Sequence, residues 1–164
     1  MATFSTNYVT QIKTALLSLF TSNLNTRLQL VNSVGPVSFP ESGVFPYVGV
    51  EEVNRVEKVI GNHSISSTVN WDISVVVKTT GNMLLQDAVN LRNLVLDDGN
   101  NNGVEPILRE VNSSLLSGLI SRASIGEVRY FTSQGFDKMG SLSGGYVAGA
   151  IISWQSLTGG ATSF

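Results

Sequence analysis

Val69-Asn70-Trp71-Asp72-Ile73-Ser74-Val75-Val76-Val77-Lys78, followed by Thr79-Thr80-Gly81-Asn82 and then Met83-Leu84-Leu85-Gln86-Asp87-Ala88-Val89-Asn90-Leu91-Arg92-Asn93-Leu94-Val95, is the stretch that decides the fold. Its first part alternates. Val69, Trp71, Ile73, Val75 and Val77 fall on one side of an extended chain, and Asn70, Asp72, Ser74, Val76 and Lys78 on the other. Gly81-Asn82 breaks that period. Leu84, Leu85, Ala88, Leu91, Leu94 and Val95 then recur at helical spacing. A strand with one face in a core, turning at once into an amphipathic helix, predicts a sheet covered by helices.

Working outward, the same two periods recur. Tyr8, Val9, Ile12, Ala15, Leu16, Leu19 and Phe20 make an apolar stripe over a helix from Tyr8 to about Leu24, with Ser5 or Thr6 as its cap and Asn23 and Asn25 as its stop. Leu28, Leu30 and Val31 read as a short extended piece. Residues Asn32–Phe45 form a loop, because Pro36 and Pro40, with Pro46 just beyond, forbid a helix and argue against a central strand. Tyr47–Val50 is a strand. Glu51–Ile60 fits either period and is taken as a hairpin arm that turns at Gly61-Asn62 into the long strand Ser66–Lys78.

Downstream, Val104, Ile107, Leu108, Val111, Leu115 and Leu116 predict a third helix, with Pro106 in its first turn. Gly126–Thr132 and Tyr146–Ser156 alternate as strands, joined through the Gly/Ser-rich loop Ser133–Gly145 as a long hairpin. Residues 158–164 are expected to be a loose tail. The result is a single α/β (α+β) domain over residues 1–164. Its mixed, mostly antiparallel sheet packs against two or three helices and carries a long hairpin arm.

Composition narrows the function classes. Charged residues are 13% of the 164, against about 25% in ordinary globular chains, and Ser, Thr and Asn supply the polarity instead. Surfaces of that kind suit burial in an assembly, since a hydroxyl costs less to bury than a charge; compositional drift in a monomer is the other reading. The ten basic residues are scattered, so no phosphate-binding patch forms. The absence of cysteine excludes disulfides, thiolate metal sites and cysteine nucleophiles. The N-terminal residues lack the pattern of a signal peptide, and no apolar run is long enough to span a bilayer. A soluble protein made in a cytoplasm is expected.

No catalytic set stands out. His63 is the single histidine, at an expected hairpin tip where nothing would orient an imidazole beside Ser64, Ser66 or Ser67. Asp98-Gly99-Asn100-Asn101-Asn102-Gly103 begins like a calcium loop, but its twelfth position is Arg109, where a bidentate carboxylate is needed. Glu51 and Glu52 are neighbours in a strand and point to opposite faces, so they are poorly placed to share acid–base work. Asp97-Asp98 has no basic or aromatic companion, and Gly140–Gly145 lacks the lysine and helix of a P-loop. Neither a metal nor a cofactor is expected. Trp71 and Trp154 sit in the two strongest strands and read as core or cross-strand residues, with a subunit contact as the other option.

The ordered set of helix Tyr8–Leu24, Phe45-Pro46-Tyr47-Val48-Gly49-Val50-Glu51-Glu52, strand Trp71–Val77, helix Leu84–Leu96 and closing strand Tyr146–Trp154 resembles the tail terminator (tail-completion) proteins of tailed bacteriophages. The resemblance implies a non-enzymatic virion protein at the tail–neck junction, assembled in the host cytoplasm. It implies a homo-oligomeric ring, hexameric in that family, that stops growth of the tail tube and presents a surface to the neck. The implied partners are further copies of the chain, the tail tube, the neck or connector proteins and the sheath, with DNA only as passing cargo and no membrane. Neck, head-completion and tail-tube proteins share related folds and stand as alternatives, and a small ligand-binding or enzymatic domain as a more distant one. The residues placed at subunit or partner contacts are Glu51, Glu52, Arg55, Lys58 and His63 on the arm, and Phe136, Lys138 and Met139 on the loop.

Overall fold

The computed structural model describes residues 2–4, 8–27, 33–35, 45–59, 64–79, 84–111, 118–136 and 142–162. In chain order the elements are β1 (Ala2–Phe4), α1 (Tyr8–Arg27), β2 (Ser33–Gly35), β3 (Tyr47–Val59), β4 (Ser64–Lys78), α2 (Leu85–Leu96), α3 (Val104–Glu110), β5 (Arg122–Phe136) and β6 (Leu142–Thr162). This is a single-domain α+β fold.

Four long antiparallel strands, in the order β3-β4-β6-β5, form the body of the sheet. The short β2 adds in parallel to the start of β3, and β1 adds in parallel to the end of β6. Alternation on β4 decides which way the sheet faces. Val69, Trp71, Ile73, Val75 and Val77 are all buried on the inner face, beside Trp154, Ile152, Ala150 and Ala148 of β6. Ile12, Leu16, Phe20 and Leu24 of α1, Ala88 and Val95 of α2 and Val104, Ile107 and Leu108 of α3 complete the same apolar cluster. The helix layer thus covers one face only. The opposite face keeps a small cluster of its own at one end, where Tyr47, Val76 and Val147 meet Phe45 and Phe131.

Local chemistry sets the element ends. Asp87 accepts the Leu84 N–H at 3.1 Å, which satisfies one of the donors that the start of α2 leaves without a helical partner. Between α2 and α3, Gly103 has φ +137°, and a Cβ there would lie 2.4 Å from the Leu96 carbonyl oxygen. Only glycine allows the two helices to join so closely.

Several boundaries differ from the sequence expectation. Helix α1 continues to Arg27, past Asn23 and Asn25, because Asn23 bonds back to the Leu19 carbonyl and stays helical. β2 lies inside the expected loop, recruited by pairing with β3. The third helix ends at Glu110, and Val111 is extended. Of the expected loop Ser133–Gly145, residues 133–136 belong to β5 and residues 142–145 to β6, where ladder pairing overrides the poor β-propensity of Gly and Ser; residues 137–141 lie outside the described residues. Residues 158–162 are not the expected loose tail. Gly160–Thr162 pairs with β1, and the Thr158 hydroxyl donates to the Leu119 carbonyl at 2.9 Å. The cap at Ser5 or Thr6, the extended piece Leu28–Val31, most of the loop 32–45 and the end of the third helix at Leu115 and Leu116 lie outside the described residues.

Candidate interaction surfaces

Three surfaces stand clear of the core. The first is the outer half of β3. Tyr47–Val50 is buried, but from Glu51 to Val59 every side chain is exposed except the half-buried Glu52. Its backbone edge is open as well: β2 covers only Tyr47–Gly49, so beyond Gly49 the second edge of β3 has no strand on it among the described residues.

This arm is nevertheless held. The Tyr8 hydroxyl donates to Glu57 Oε1 at 2.6 Å and sits 2.6 Å from the Ser67 hydroxyl. Arg55 lies over the Tyr8 ring, 6.0 Å from its centroid, and its Nε is 3.5 Å from Glu52. Burial pushes the Tyr8 phenol above its ordinary pKa, and the bond to Glu57 pushes it further the same way. Glu52, Arg55 and Glu57 therefore work on the helix-covered side. Register places Glu51, Val56 and Lys58 on the other face. Of the arm residues named from sequence, Glu51, Glu52, Arg55 and Lys58 all lie on β3 but divide between its two faces, while His63 lies outside the described residues. Tyr8 and Glu57 were missed. The signal was present for Glu57, because it is two residues from Arg55 and so shares its face.

The second surface is the β5–β6 hairpin. The β4–β6 ladder ends at Lys78–Val147, whereas β5–β6 continues to Phe136–Leu142. Thr79 ties the base of this extension, its N–H donating to the Tyr146 carbonyl at 2.9 Å and its hydroxyl accepting from Tyr146 N–H at 3.1 Å. Phe136 closes β5; Lys138 and Met139 lie outside the described residues. Phe131 covers Gly149 on the helix-free face, and Arg92 of α2 lies over the Tyr130 ring at 4.6 Å on the other.

The third surface is a concavity of about 450 Å³ on the helix-free face, lined among others by Val53, Asn70, Asp72, Glu127, Arg129 and Gln155. Asn70 donates to Asn54 at 2.6 Å and accepts from Gln155 at 3.0 Å, which makes an amide row across three strands. Arg129 approaches Asp72 at 3.9 Å. The lining sets polar side chains in a larger share of apolar surface and holds neither a nucleophile–base pair nor a cluster of ligating groups; among the described residues no three His, Asp or Glu side chains converge on a metal position.

The calcium-like loop has a different organisation. Asp98 Oδ1 accepts the Asn100 and Asn102 N–H groups at 2.7 and 3.3 Å, and Oδ2 accepts the Asn102 side-chain amide at 2.9 Å. Those bonds hold the Asp98 carboxyl below its ordinary pKa. The loop uses its acid to close itself. Among the described residues no helix is long and apolar enough to cross a membrane. No protein-family model matches the chain, and no curated protein matches it.

Proposed function

We propose that the chain is a non-enzymatic, ring-forming virion protein that works as a tail terminator of a tailed bacteriophage. In this reading copies of the chain close head to tail at the head-proximal end of the tail tube, stop its growth and offer a docking surface to the neck. The observation that carries the proposal is the extension of the β5–β6 hairpin beyond the end of β4. Two strands that leave their own core gain most by packing on a neighbour. The exposed half of β3 lies at the opposite edge and the opposite end of the sheet. A head-to-tail ring requires two unlike, complementary surfaces on each subunit, and these two qualify.

Charge agrees with the passage of DNA. On the helix-free face Glu51, Asp72 and Glu127 are interspersed with Lys58, Lys78, Arg122 and Arg129, a mixed surface with an excess of one cation. A wall of that kind does not hold phosphates as a cationic one would. The test is deletion of Gln134–Ser143. The shortened chain is expected to keep its melting temperature, lose ring formation and leave tail tubes uncapped. A shortened chain that still forms rings and still caps tubes overturns the proposal.

A further inference from the structure

We propose that copies of this chain join edge to edge, the β5 edge of one pairing antiparallel with the β3 edge of the next, so that one sheet runs through the assembly. This deepens the ring reading and rests on it only for closure; the pairing itself stands on the geometry of the two edges.

Direction comes first. The body of the sheet has four strands in strict antiparallel alternation, so its two outer strands, β3 and β5, run in opposite directions. A neighbour brought alongside by rotation alone therefore presents β5 antiparallel to β3, and its helix layer falls on the same side. With an odd number of strands the same operation would set the two edges parallel. Both edges are open: β3 beyond Gly49 pairs only with β4, and β5 pairs only with β6, among the described residues.

The edges also match in shape. β3 has a bulge between Glu52 and Asn54, facing Trp71 and Asn70. β5 has one between Ile125 and Val128, facing Trp154 and Ile152, and a second between Gln134 and Phe136. Trp71 and Trp154 are themselves partners in register, so both edges bend at one level of the sheet. Bulges of this kind curve a sheet, as a ring requires, but on an open edge they also turn the strand away from a flat partner, so pairing here needs the partner to carry the matching bend.

Edges that must stay unpaired are usually blunted by proline, by charged side chains or by bulges that twist them away. Tyr47–Val59 and Arg122–Phe136 carry charge and bulges but no proline. Carboxylates are in excess on the outer half of β3, with Glu51, Glu52 and Glu57 against Arg55 and Lys58. Guanidinium groups are in excess on β5, with Arg122 and Arg129 against Glu127. The β3 edge also exposes apolar β-branched side chains, Val53, Val56 and Val59. Finally, both edges are stiffened in advance, β3 through Tyr8–Glu57 and β5 through Arg92–Tyr130, so little order remains to be imposed on association.

The experiment is a proline walk through Asn54, Arg55, Val56, Glu57 and Lys58, with mass in solution and melting temperature measured for each full-length variant. Along an edge strand, alternate N–H groups point into the sheet and out of it. Prolines at the inward positions should lower the melting temperature. Prolines at the outward positions should melt near the parent and lose assembly. Amide hydrogen exchange of the parent chain provides a second readout that needs no variant: the outward amides of β3 should gain protection as concentration drives association. A parent chain that stays monomeric, outward prolines that assemble as the parent does, or association without new protection on β3 each overturn the proposal. Assembly through these edges without capping of tail tubes would overturn the tail reading and leave the edge pairing standing. Capping of tubes by outward-proline variants would do the reverse.

Discussion

Trp71 and Trp154 are direct partners across the β4–β6 ladder, with ring centroids 6.4 Å apart and ring planes at 49°. Both are buried on the helix-covered face. Their indoles are not equivalent. Trp71 Nε1 donates to the Ser156 hydroxyl at 3.0 Å, whereas Trp154 Nε1 is buried without a partner among the described residues. Trp71→Phe should therefore cost volume and a hydrogen bond, about 2–3 kcal/mol, and Trp154→Phe volume alone, about 1–2 kcal/mol. Denaturant titration of the two variants checks the order; equal losses would show that the Trp71–Ser156 bond contributes nothing.

Ile73 tests the facing of the sheet. It is fully buried on β4, registered with Val50 and Ile152. Ile73→Asp places a carboxylate where no partner is available, a penalty comparable with the 5–15 kcal/mol that holds an average domain together. The chain should not fold. Asp72→Ala, one residue away on the other face, removes only a 3.9 Å pair with the half-exposed Arg129 and should cost about 0–1 kcal/mol. Circular dichroism separates the two outcomes.

Phe131 and Gly149 form a second paired site, on the helix-free face. A Cβ on Gly149 would lie 2.2 Å from Cζ of the Phe131 ring. Gly149→Ala must displace that ring and should cost about 1–3 kcal/mol. The double variant with Phe131→Ala removes the clash, so its loss should be smaller than the sum of the two single losses. Additive losses would mean that the ring does not sit over the glycine.

The strand through 69–78 and the burial of both tryptophans were legible because each rests on a period that a few consecutive residues reveal; the turn expected at 80–82 lies outside the described residues. The helix α2 and the long partner strand β6 follow from the same signal. The extent of the hairpin was not legible. Ser133–Gly145 is poor in strand-forming residues, and its strand character comes from pairing between segments, which no local pattern announces. The C-terminal strand was hidden for the same reason, since Gly160–Thr162 is held by β1 from the other end of the chain. Among the candidate contacts, the charges of β3 were visible as a group, but the Tyr8–Glu57 bond joins residues 49 positions apart.

The Asp98 loop gives a metal prediction. Both carboxylate oxygens already accept bonds from Asn100 and Asn102, and Arg109 is engaged with Glu105 at 3.0 Å. Calcium would have to displace the loop's own amides without a bidentate carboxylate to receive it. Millimolar calcium should leave the melting temperature unchanged, and Asp98→Ala should keep the fold and the assembly. A rise of several degrees with calcium would contradict this, because a ligand of the folded state stabilises it by mass action.

Tyr8 gives a pH prediction with a definite sign. Its phenol is held above the ordinary value of 10.0, first by burial and then by the bond it donates to Glu57. In the unfolded chain the proton leaves near that ordinary value; in the folded chain it is retained to higher pH. Between the two the folded state binds more protons, so stability is fully present below about pH 10 and falls as pH rises through the folded pKa. Tyr47, buried in the small cluster on the helix-free face, is shifted the same way by that burial and adds to the alkaline loss. At neutral pH Tyr8→Phe should cost about 1–2 kcal/mol, the worth of the hydroxyl's bonds to Glu57 and Ser67. Above pH 10 the variant and the parent should converge, because the parent loses there what the variant has already lost. Glu57→Gln separates the causes. It removes the charge repulsion on the phenolate but not the burial, so tyrosinate should form at lower pH than in the parent yet still above 10. Spectrophotometric titration of each variant measures this directly. A Tyr8→Phe variant whose stability keeps a constant gap from the parent through alkaline pH would show that the phenol titrates as it does in water, and that α1 is not tied to β3 through this bond.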